Sequence, residues 1–389
     1  MNIPLSNPDI TAKERRAVME VLKTPDLSFG PKLTEFEKAG AKYAGRKYGV
    51  AVNSGTSGLH LIIKSLNISR GDLVITTPFS FISSANCMLF EGARPVFADI
   101  DADTLNISPD SVVEVIKKKR PKRIRAVLAV DVFGHPADWD SLYDIADKYN
   151  LKLIEDSCEA IGSEYRSPDG PAIRRWSKPR KAGAFGEAAI YAFYPNKQVT
   201  TGEGGLIVTD KKKIYDLCRS LRNQGRDDGS GWLSHIRLGY NYRLSDINCV
   251  LGTVQLQRIA EILKKRAHVA RQYNKSLKAI DAIRLPYCEP NVKMSWFVYV
   301  IRLGSRYRRK DRDAVLEKLR KRGVACSNYF SPIHLQPFYR KMFGYKRGDF
   351  PVTEHVADRT IALPFFSNLK NDQVAFVADS LKEILGEGG

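Results

Sequence analysis

The sequence lacks the long apolar run that a membrane-spanning helix requires. No stretch of its 389 residues approaches the roughly 18 consecutive apolar residues that cross a bilayer. Residues 1–8 also lack the charged-then-apolar pattern of a secretory signal. We therefore expect a protein with no membrane partner, and its hydrophobic content of 43% is typical of a globular enzyme with a sizeable core.

Cysteine is scarce, and no two cysteines form a CxxC pair. The six cysteines lie far apart, at Cys87, Cys158, Cys218, Cys249, Cys288 and Cys326. A chain of this length does not need disulfides to build a stable core. We therefore expect reduced thiols in a cytoplasmic protein, and no metal site.

Acidic residues are fewer than basic ones. The chain has 62 Lys and Arg against 43 Asp and Glu, which gives a formal net charge of +19. Such a charge attracts nucleic acid, an anionic membrane surface or a polyanionic small substrate. The positive residues are nevertheless spread along the chain, and clusters such as 117–120 alternate with apolar helix positions, as on solvated helix faces. No zinc spacing, RNP-like run or basic-aromatic repeat indicates nucleic-acid binding, so we expect no nucleic-acid partner.

From about residue 46, short β-type runs alternate with helical periodicity. The runs are rich in Val and Ile, which is typical of strands covered on both faces. They are 49–53, 73–77, 95–99, 124–130, 151–155, 188–193 and 205–209. This alternation predicts an open α/β sheet whose ligands bind beyond the carboxyl ends of the strands.

The pattern changes after Leu244. A long helical stretch over 245–277 is followed by a β-type run at 296–302 and by helical patterns at 311–321 and 371–384. We therefore predict a large domain over 1–255 and a smaller α+β domain over 256–389. Thr11 and Glu14 form a capping-box pattern that predicts a helix start. Residues 166–181, rich in Pro, Gly and basic residues, predict an exposed loop.

Two segments place polar groups at strand ends. Residues 53–58 (NSGTSG) follow a strand and precede a helical run, so Gly55, Thr56 and Ser57 suit phosphate binding, although glycine-serine turns before helices are common. Asp156 ends another strand. It either caps the next helix or pairs with the ring nitrogen of a cofactor.

Two further segments carry a lysine and an asparagine. Lys197 lies between a buried strand and the glycine-rich turn 200–205, where partial desolvation favours its use as a nucleophilic amine. A surface loop lysine is the alternative, and it fits poorly with so many glycines. Residues 239–243 (GYNYR) place Asn241 and Arg243 among aromatics before a helix start, where they suit phosphate or carboxylate contacts.

In this order, the segments resemble the DegT/DnrJ/EryC1/StrS family of sugar aminotransferases. The resemblance extends from residue 3 to residue 366. The motifs that carry it are NSGTSGLHL (53–61), EDSCEAIG (155–162), FYPNKQVTTGEGG (193–205), LRNQG (221–225), GYNYRLSD (239–246) and FSPIHLQPFY (330–339). The resemblance implies the fold of the type I pyridoxal-phosphate (PLP) transferases. That fold is a large domain with a mostly parallel seven-stranded sheet and a smaller C-terminal α+β domain.

The resemblance also implies roles for the matching residues. Lys197 is similar to the Schiff-base lysine that later moves a proton, and Asp156 to the partner of the pyridine nitrogen. Gly55, Thr56 and Ser57 match the phosphate cradle. The remaining matches are Phe81, which stacks on the ring; Glu159, beside the ring oxygen; Asn241, which reaches the phosphate of a neighbouring subunit; and Tyr329 and His334, which contact substrate.

These matches imply a homodimer with shared active sites, and His334 is equally compatible with a core or interface position.

Three departures from the family pattern stand out. Ala192 replaces a serine that often binds phosphate, and Glu159 replaces a glutamine or histidine. The 166–181 loop looks longer than usual, either as a surface insertion or as a wall of the nucleotide entrance.

The implied function is PLP-dependent transfer of an amino group from L-glutamate to a nucleotide-diphosphate keto-sugar. The motifs TTGEGG, LRNQG and GYNYR are most similar to perosamine-type enzymes, which favours a 4-keto-6-deoxy sugar, while a 3-keto acceptor stays open. Related dehydratases carry histidine at the position of Lys197, which argues against that reaction. Two alternatives remain: a regulatory relative that binds PLP without turnover, and a basic protein that binds nucleic acid or anionic surfaces.

Overall fold

A seven-stranded sheet forms the centre of the first two thirds of the chain. The computed structural model describes residues 1–118, 123–168, 175–227 and 234–386. The strands within these described residues are Tyr48–Val52 (β1), Leu73–Thr76 (β2), Arg94–Phe97 (β3), Ile124–Val130 (β4), Lys152–Asp156 (β5), Glu164–Tyr165 (β6), Arg180–Lys181 (β7), Ala188–Ala192 (β8), Gly205–Thr209 (β9), Ile283–Arg284 (β10), Val292–Lys293 (β11), Tyr299–Leu303 (β12) and Thr360–Leu363 (β13).

The large sheet has the strand order β1-β9-β8-β5-β4-β2-β3. Neighbours from β8 to β3 pair in parallel, and β9 runs antiparallel to both β8 and β1. The prediction of a mostly parallel seven-stranded sheet is confirmed, with strand ends shifted by at most two residues. Val, Ile and Ala dominate these strands because helices cover both faces of the sheet.

The helices are Ala12–Val21 (α1), Pro31–Ala44 (α2), Gly55–Ser65 (α3), Ser83–Leu89 (α4), Pro109–Lys118 (α5), Trp139–Tyr149 (α6), Lys212–Arg222 (α7), Asp246–Gln257 (α8), Ile259–Leu277 (α9), Arg309–Lys321 (α10), Pro337–Phe343 (α11), Pro351–Ala357 (α12) and Asn371–Gly386 (α13). The capping box of Thr11 and Glu14 starts α1 as predicted. None of the described helices is long and apolar enough to cross a membrane.

The helical stretch predicted over 245–277 consists of two helices, α8 and α9. The helical backbone is interrupted at Arg258 (φ −97°, ψ 3°), which lies between α8 and α9. Helical periodicity continues across the break, so the sequence pattern does not mark it. The guanidinium of Arg258 is held by the buried carboxylates of Asp9 and Glu14, which lie more than 240 residues away in the chain.

The C-terminal part of the chain builds its own core. An antiparallel sheet of order β10-β12-β13 packs with α9, α10 and α13 around buried residues such as Ile301, Leu319 and Leu381. Ile3 at the opposite end of the chain joins this core and bridges Val324. We propose the break before α9 as the boundary between the domains 1–255 and 256–389.

A third small sheet joins these two parts. Its order is β11-β6-β7, so residues 292–293 pair with residues 164–165 near the basic loop. Residues 169–174 of that loop lie outside the described residues. Trp176, on its other side, packs edge-on against Tyr165 and Phe185, with ring centres 6.1 and 5.1 Å apart.

Candidate active site

Lys197 lies on the turn after β8, in a largely enclosed position. Its side chain is 12% exposed, and its Nζ lies 3.6 Å from Glu159 Oε1. The same atom lies 3.8 Å from the centre of the Phe297 ring. The Phe193 carbonyl accepts hydrogen bonds from the backbone N–H of Thr201 and the hydroxyl of Thr200, which fixes the turn around the lysine. The amine is therefore held between a carboxylate and an aromatic face.

Asp156 ends β5 and turns its carboxylate into the same region. The residue is 4% exposed, and Oδ1 accepts the backbone N–H of Cys158 at 3.2 Å. Burial raises the pKa of Asp156, while hydrogen bonds from Cys158, the charge of Lys197 and a hydrogen bond from Ser84 oppose that rise. A carboxylate that is buried in this way is stabilised by a cationic N–H donor placed against it.

Glu159 links the lysine to the neighbouring β4 segment. Its Oε2 accepts the backbone N–H of Phe133 at 2.9 Å, and its Oε1 faces Lys197. Burial raises the pKa of Glu159, and the positive charge of Lys197 is the main opposing influence. Its carbonyl accepts a 2.6 Å hydrogen bond from Gln198 Nε2, which ties the two segments together.

The start of α3 forms the expected cradle. Ser54 caps the helix by accepting the N–H of Ser57 at 3.1 Å, and the Ser57 hydroxyl donates to Asn53 Oδ1 at 2.6 Å. Thr56 Oγ1 lies 2.7 Å from Ser83 Oγ on α4. The first N–H groups of a helix are free to bind an anion.

Gly55 brings this cradle against the end of β8. A Cβ atom at Gly55 would lie 2.9 Å from Ala192 Cβ and 3.0 Å from Cys158 Sγ. These distances are too short for a side chain, so the close approach requires glycine. The cradle, β8 and the turn after β5 therefore meet at one point.

Phe81 and Tyr329 border this region. The Phe81 side chain is 62% exposed, and its carbonyl accepts a hydrogen bond from Ser84, which also contacts Asp156. The pKa of the Tyr329 phenol is raised by burial and by the negative charge of Glu159, and Asn196 bonds to the phenol oxygen. Both aromatics therefore lie near the lysine segment, one open to solvent and one partly covered.

The structure places the other two candidate residues elsewhere. Asn241 is exposed, and its backbone bridges Asn223. His334 is fully buried, with Nε2 3.1 Å from Glu354 Oε1 and its ring 4.7 Å from that of Phe350. Among the described residues, its contacts are with this core and not with the lysine segment.

Three residues around the site were not singled out by sequence reasoning. Phe297 covers the lysine amine, Gln198 holds the Glu159 carbonyl, and Ser84 bonds to Asp156. Gln198 directly follows Lys197 and could have been found from its motif. Phe297 and Ser84 reach the site only through the tertiary fold.

A buried acid pair lies behind Asp156. Ser157 Oγ is 2.8 Å from Asp131 Oδ2 and 2.5 Å from Glu155 Oε1. A hydroxyl has one hydrogen and can donate to only one of them, so the other acid must donate to the hydroxyl. Glu155 also accepts the N–H groups of Gly183 and Phe185, which suits the ionised acid. Burial and the charge of Glu155 raise the pKa of Asp131, which therefore carries the shared proton.

Family comparison agrees with this geometry. The model described as the DegT/DnrJ/EryC1/StrS aminotransferase family matches residues 8–382. The chain belongs to this family. The prediction from the sequence motifs is confirmed, and so is the fold it implied. Among the residues that the structure describes, no group of three or more His, Cys, Asp or Glu is placed to hold a metal ion.

Individual relatives of this DegT/DnrJ/EryC1/StrS family member extend over its whole length. An uncharacterized protein of Methanocaldococcus jannaschii is 36% identical, covering 99% of this chain and 98% of its own. The spore coat polysaccharide biosynthesis protein SpsC of Bacillus subtilis is 33% identical, covering 98% and 97%. The structure of Helicobacter pylori PseC, an aminotransferase of pseudoaminic acid biosynthesis, superposes with a TM-score of 0.89 at 28% identity over 100% of both chains.

Proposed function

We propose that this aminotransferase uses PLP to move an amino group from L-glutamate to a nucleotide-linked keto-sugar in amino-sugar biosynthesis. The observation that carries the proposal is the meeting of Lys197, Asp156 and the α3 cradle at the carboxyl ends of β5 and β8. The names of SpsC and PseC support a sugar acceptor in a polysaccharide or amino-sugar route. The motif similarity favours a 4-keto-6-deoxyhexose.

The residues present fit the cofactor. The α3 start, with Gly55, Thr56 and Ser57, would hold the phosphate, and Asp156 would face the ring nitrogen. Phe81 leaves an exposed aromatic face for the ring, and Lys197 would provide the covalent attachment. Asn196 Oδ1 is buried without a partner among the described residues, which leaves an acceptor free beside the lysine. When bound, PLP supplies an electron sink for the carbanion that forms at the α-carbon of the amino donor.

Lys197 carries the proton transfers. With PLP bound, Nζ of Lys197 would be the base that accepts the proton from the donor α-carbon and passes it to the cofactor. In the second half of the reaction the same amine would donate a proton to the sugar carbon that receives the amino group. Phe297 and Glu159 surround Nζ, which keeps water away from this proton.

Asp156 and Glu159 set the electrostatics of the site. An ionised Asp156 would keep a ring nitrogen protonated, because a cationic partner would stabilise the buried carboxylate beyond its hydrogen bonds from Cys158 and Ser84. Glu159 faces Lys197 and is anchored by the N–H of Phe133, so it stabilises the protonated amine. Tyr329, which lies beside Glu159, is placed to contact the substrate.

A second copy of the chain would complete the site. Asn241 is exposed in the single chain, beside Tyr242, whose carbonyl accepts the N–H of Asn53 next to the cradle. We propose a homodimer in which Asn241 reaches the phosphate of the neighbouring subunit. All six cysteines are free thiols, which supports the proposed cytoplasmic location.

The test is the absorption spectrum of the purified protein before and after addition of L-glutamate. We expect a cofactor band that shifts on addition in the wild type and in the surface control Lys212→Ala, and that does not shift in Lys197→Ala. A wild type that binds no cofactor even when PLP is supplied would overturn the proposal, and salt-sensitive DNA binding would then favour the basic binding protein. A band that responds to no donor or acceptor would favour the regulatory relative.

The acceptor is tested separately with the amino form of the enzyme. Nucleotide-linked 4-keto and 3-keto sugars are added, and return of the original cofactor band is followed. We expect the 4-keto-6-deoxy sugars to restore the band fastest. Faster restoration by the 3-keto sugars would contradict that part of the proposal and leave the aminotransferase activity standing.

A further inference from the structure

A cavity lined by basic residues lies where the C-terminal sheet meets the loop after β3. Its volume is about 310 Å³. The residues lining it are Ala102, Arg284, Arg302, Leu303, Ser305, Pro351, Val352, His355, Val356 and Arg359. Three arginines and a histidine therefore share one cavity, and none of these lining residues is a carboxylate. The volume is at the lower end of the range for small-molecule sites.

The sheet register forces these arginines together. Arg284 on β10 lies directly opposite Arg302 on β12, and Arg302 in turn lies opposite Thr360 on β13. Arg359 is the residue immediately before β13. Like charges placed directly opposite on neighbouring strands destabilise a sheet. Neutral residues at these positions would avoid this repulsion. The arginine cluster therefore lowers the stability of the protein when no anion is bound.

Nearby carboxylates offset the charge of the cluster only in part, since Asp101 and Asp103 act on Arg302 and Asp358 acts on Arg359. Arg302 Nη2 lies 3.8 Å from Asp103 Oδ1, a carboxylate that is largely exposed. Asp358 forms a two-pronged pair with Arg347, at 2.9 and 3.0 Å, so its charge is shared between Arg347 and the cavity residue Arg359. The pKa of His355 is lowered by burial and then by the charges of Arg359, Arg284 and Arg302, which is the behaviour of a site with surplus positive charge.

Arg359 has donor capacity to spare. Its Nη1 donates to the His355 carbonyl at 2.7 Å and its Nη2 to the Ser305 carbonyl at 3.2 Å, which fixes the plane of the guanidinium. Its Nε is buried and has no hydrogen-bond partner among the described residues. A buried donor that lacks an acceptor is unfavourable for the folded protein.

We propose that this cavity binds a phosphate-bearing small molecule, with Arg284, Arg302 and Arg359 as the anion-binding residues. Guanidinium groups bind phosphate oxygens in a two-pronged geometry that suits this arrangement. Arg302 also donates to the Ala102 carbonyl, so the occupied site joins the loop after β3 to the C-terminal sheet. Occupancy therefore stabilises the contact between the two parts of the chain.

The cavity is separate from the lysine site in its residues and in its chemistry. None of its lining residues belongs to the α3 cradle, the turn after β8 or the Asp156 segment. The apolar lining residues Leu303, Pro351 and Val356, here called the apolar floor, suit contact with a small organic group attached to the phosphate. The proposal therefore holds whether or not the enzyme transfers amino groups to sugars.

The test is calorimetric titration of the cofactor-loaded protein with inorganic phosphate, pyrophosphate and ADP at fixed ionic strength. We expect saturable binding of one equivalent per chain, and an increase in the unfolding temperature that follows occupancy. Arg284→Gln and Arg359→Gln should each weaken binding about tenfold, since each removes a charged hydrogen-bond donor. Arg309→Gln, which changes an exposed arginine on α10, is the matched control and should bind as the wild type does.

Arg284 is exposed and forms part of a two-residue strand, so its variant is expected to fold even if Arg359→Gln does not. Equal affinity in the wild type and both cavity variants would overturn the proposal, because the anion would then bind through the net positive charge or at the active site. Absence of saturable binding by all three probes would also overturn it. Tighter binding of ADP than of pyrophosphate would show that the apolar floor takes part in recognition, whereas equal binding would show that the phosphates alone are recognised.

Discussion

Lys197 Nζ and Glu159 Oε1 lie 3.6 Å apart inside the fold, where neither side chain is more than slightly exposed. The carboxylate is held in place by the backbone N–H of Phe133, and the amine by the face of Phe297. Glutamate here is a departure from the glutamine or histidine expected from the family pattern. The consequence is a negative charge beside the amine that is proposed to move the proton.

The first prediction concerns Glu159→Gln in the cofactor-loaded enzyme. The amide oxygen can still accept the N–H of Phe133, so the fold is retained, while the negative charge beside Lys197 is lost. A cationic nitrogen at this position is then less stable. We expect the pH midpoint of the cofactor absorbance change to decrease by about one unit or more. The control Glu164→Gln, on β6, should leave the midpoint unchanged. An unchanged midpoint in Glu159→Gln would mean that Glu159 is neutral in the loaded enzyme.

The second prediction concerns the buried acid pair. Because burial and the charge of Glu155 raise the pKa of Asp131, the folded protein holds a proton that the unfolded chain releases at lower pH. The free energy of unfolding therefore falls as pH rises above about 4, the ordinary pKa of an aspartate, by up to about 1.4 kcal/mol per pH unit for one proton. The fall ends once the pH passes the raised pKa.

Asp131→Asn tests this assignment, since an amide keeps one acceptor and places a donor next to Ser157. We expect the free energy of unfolding, measured with urea, to fall less between pH 5 and pH 8 in the variant than in the wild type. Asp281→Asn, an exposed aspartate, is the control and should lose as much as the wild type. The same pH dependence in Asp131→Asn and wild type would show that this acid pair does not hold the proton.

Much of the fold could be predicted because strand and helix periodicities are local. The strands Ile124–Val130 and Gly205–Thr209 have the predicted bounds, and the motif around Lys197 identified the central amine. The helix break at Arg258 was missed because it depends on carboxylates at the start of the chain. The contact between Phe297 and Lys197 was missed because the two residues are far apart in the chain and only the tertiary fold brings them together.

Contacts between side chains that lie far apart in the chain could not be predicted from the sequence either. His334 belongs to a motif shared with the family, yet the structure pairs it with Glu354 in an aromatic core. The facing of Arg284 and Arg302 depends on the register of two strands that are only two and five residues long. A shift of one residue in either strand would turn one arginine to the other face, so composition alone could not reveal the cluster.

The third prediction concerns Arg258, which joins the N-terminal segment to the break between α8 and α9. Burial tends to raise the pKa of Glu14, but hydrogen bonds from Thr11 and Arg258 outweigh it and hold the pKa at about 2. Because this folded-state pKa is depressed, the stabilisation is present above about pH 4.5 and is lost as pH falls toward 2. Removing the guanidinium leaves Glu14 buried without its cationic partner, whereas Asp9 keeps Lys265 Nζ at 2.9 Å.

We therefore expect Arg258→Met to lower the free energy of unfolding at pH 7 by about 3–5 kcal/mol, measured by urea denaturation. The double variant with Glu14→Gln should recover part of this loss. Arg16→Met, an exposed position on α1, should change stability little. A small effect of Arg258→Met would show that the buried acids are satisfied by other groups.

The last prediction concerns Ala192, which stands where the family pattern often has a phosphate-binding serine. Its methyl group packs 2.9 Å from the position that a Cβ of Gly55 would take, so it lies against the start of the α3 cradle. Ala192→Ser adds one hydroxyl at this point. If the phosphate of PLP sits at the α3 start, the new hydroxyl gains a charged acceptor, and we expect the dissociation constant of PLP to fall about tenfold. Reconstitution of the cofactor-free protein, followed by fluorescence, gives this constant. Ala192→Val adds bulk without a donor and should weaken binding. If serine binds PLP no more tightly than alanine, the phosphate must lie beyond the reach of residue 192 and must be held by the α3 N–H groups and Thr56 alone.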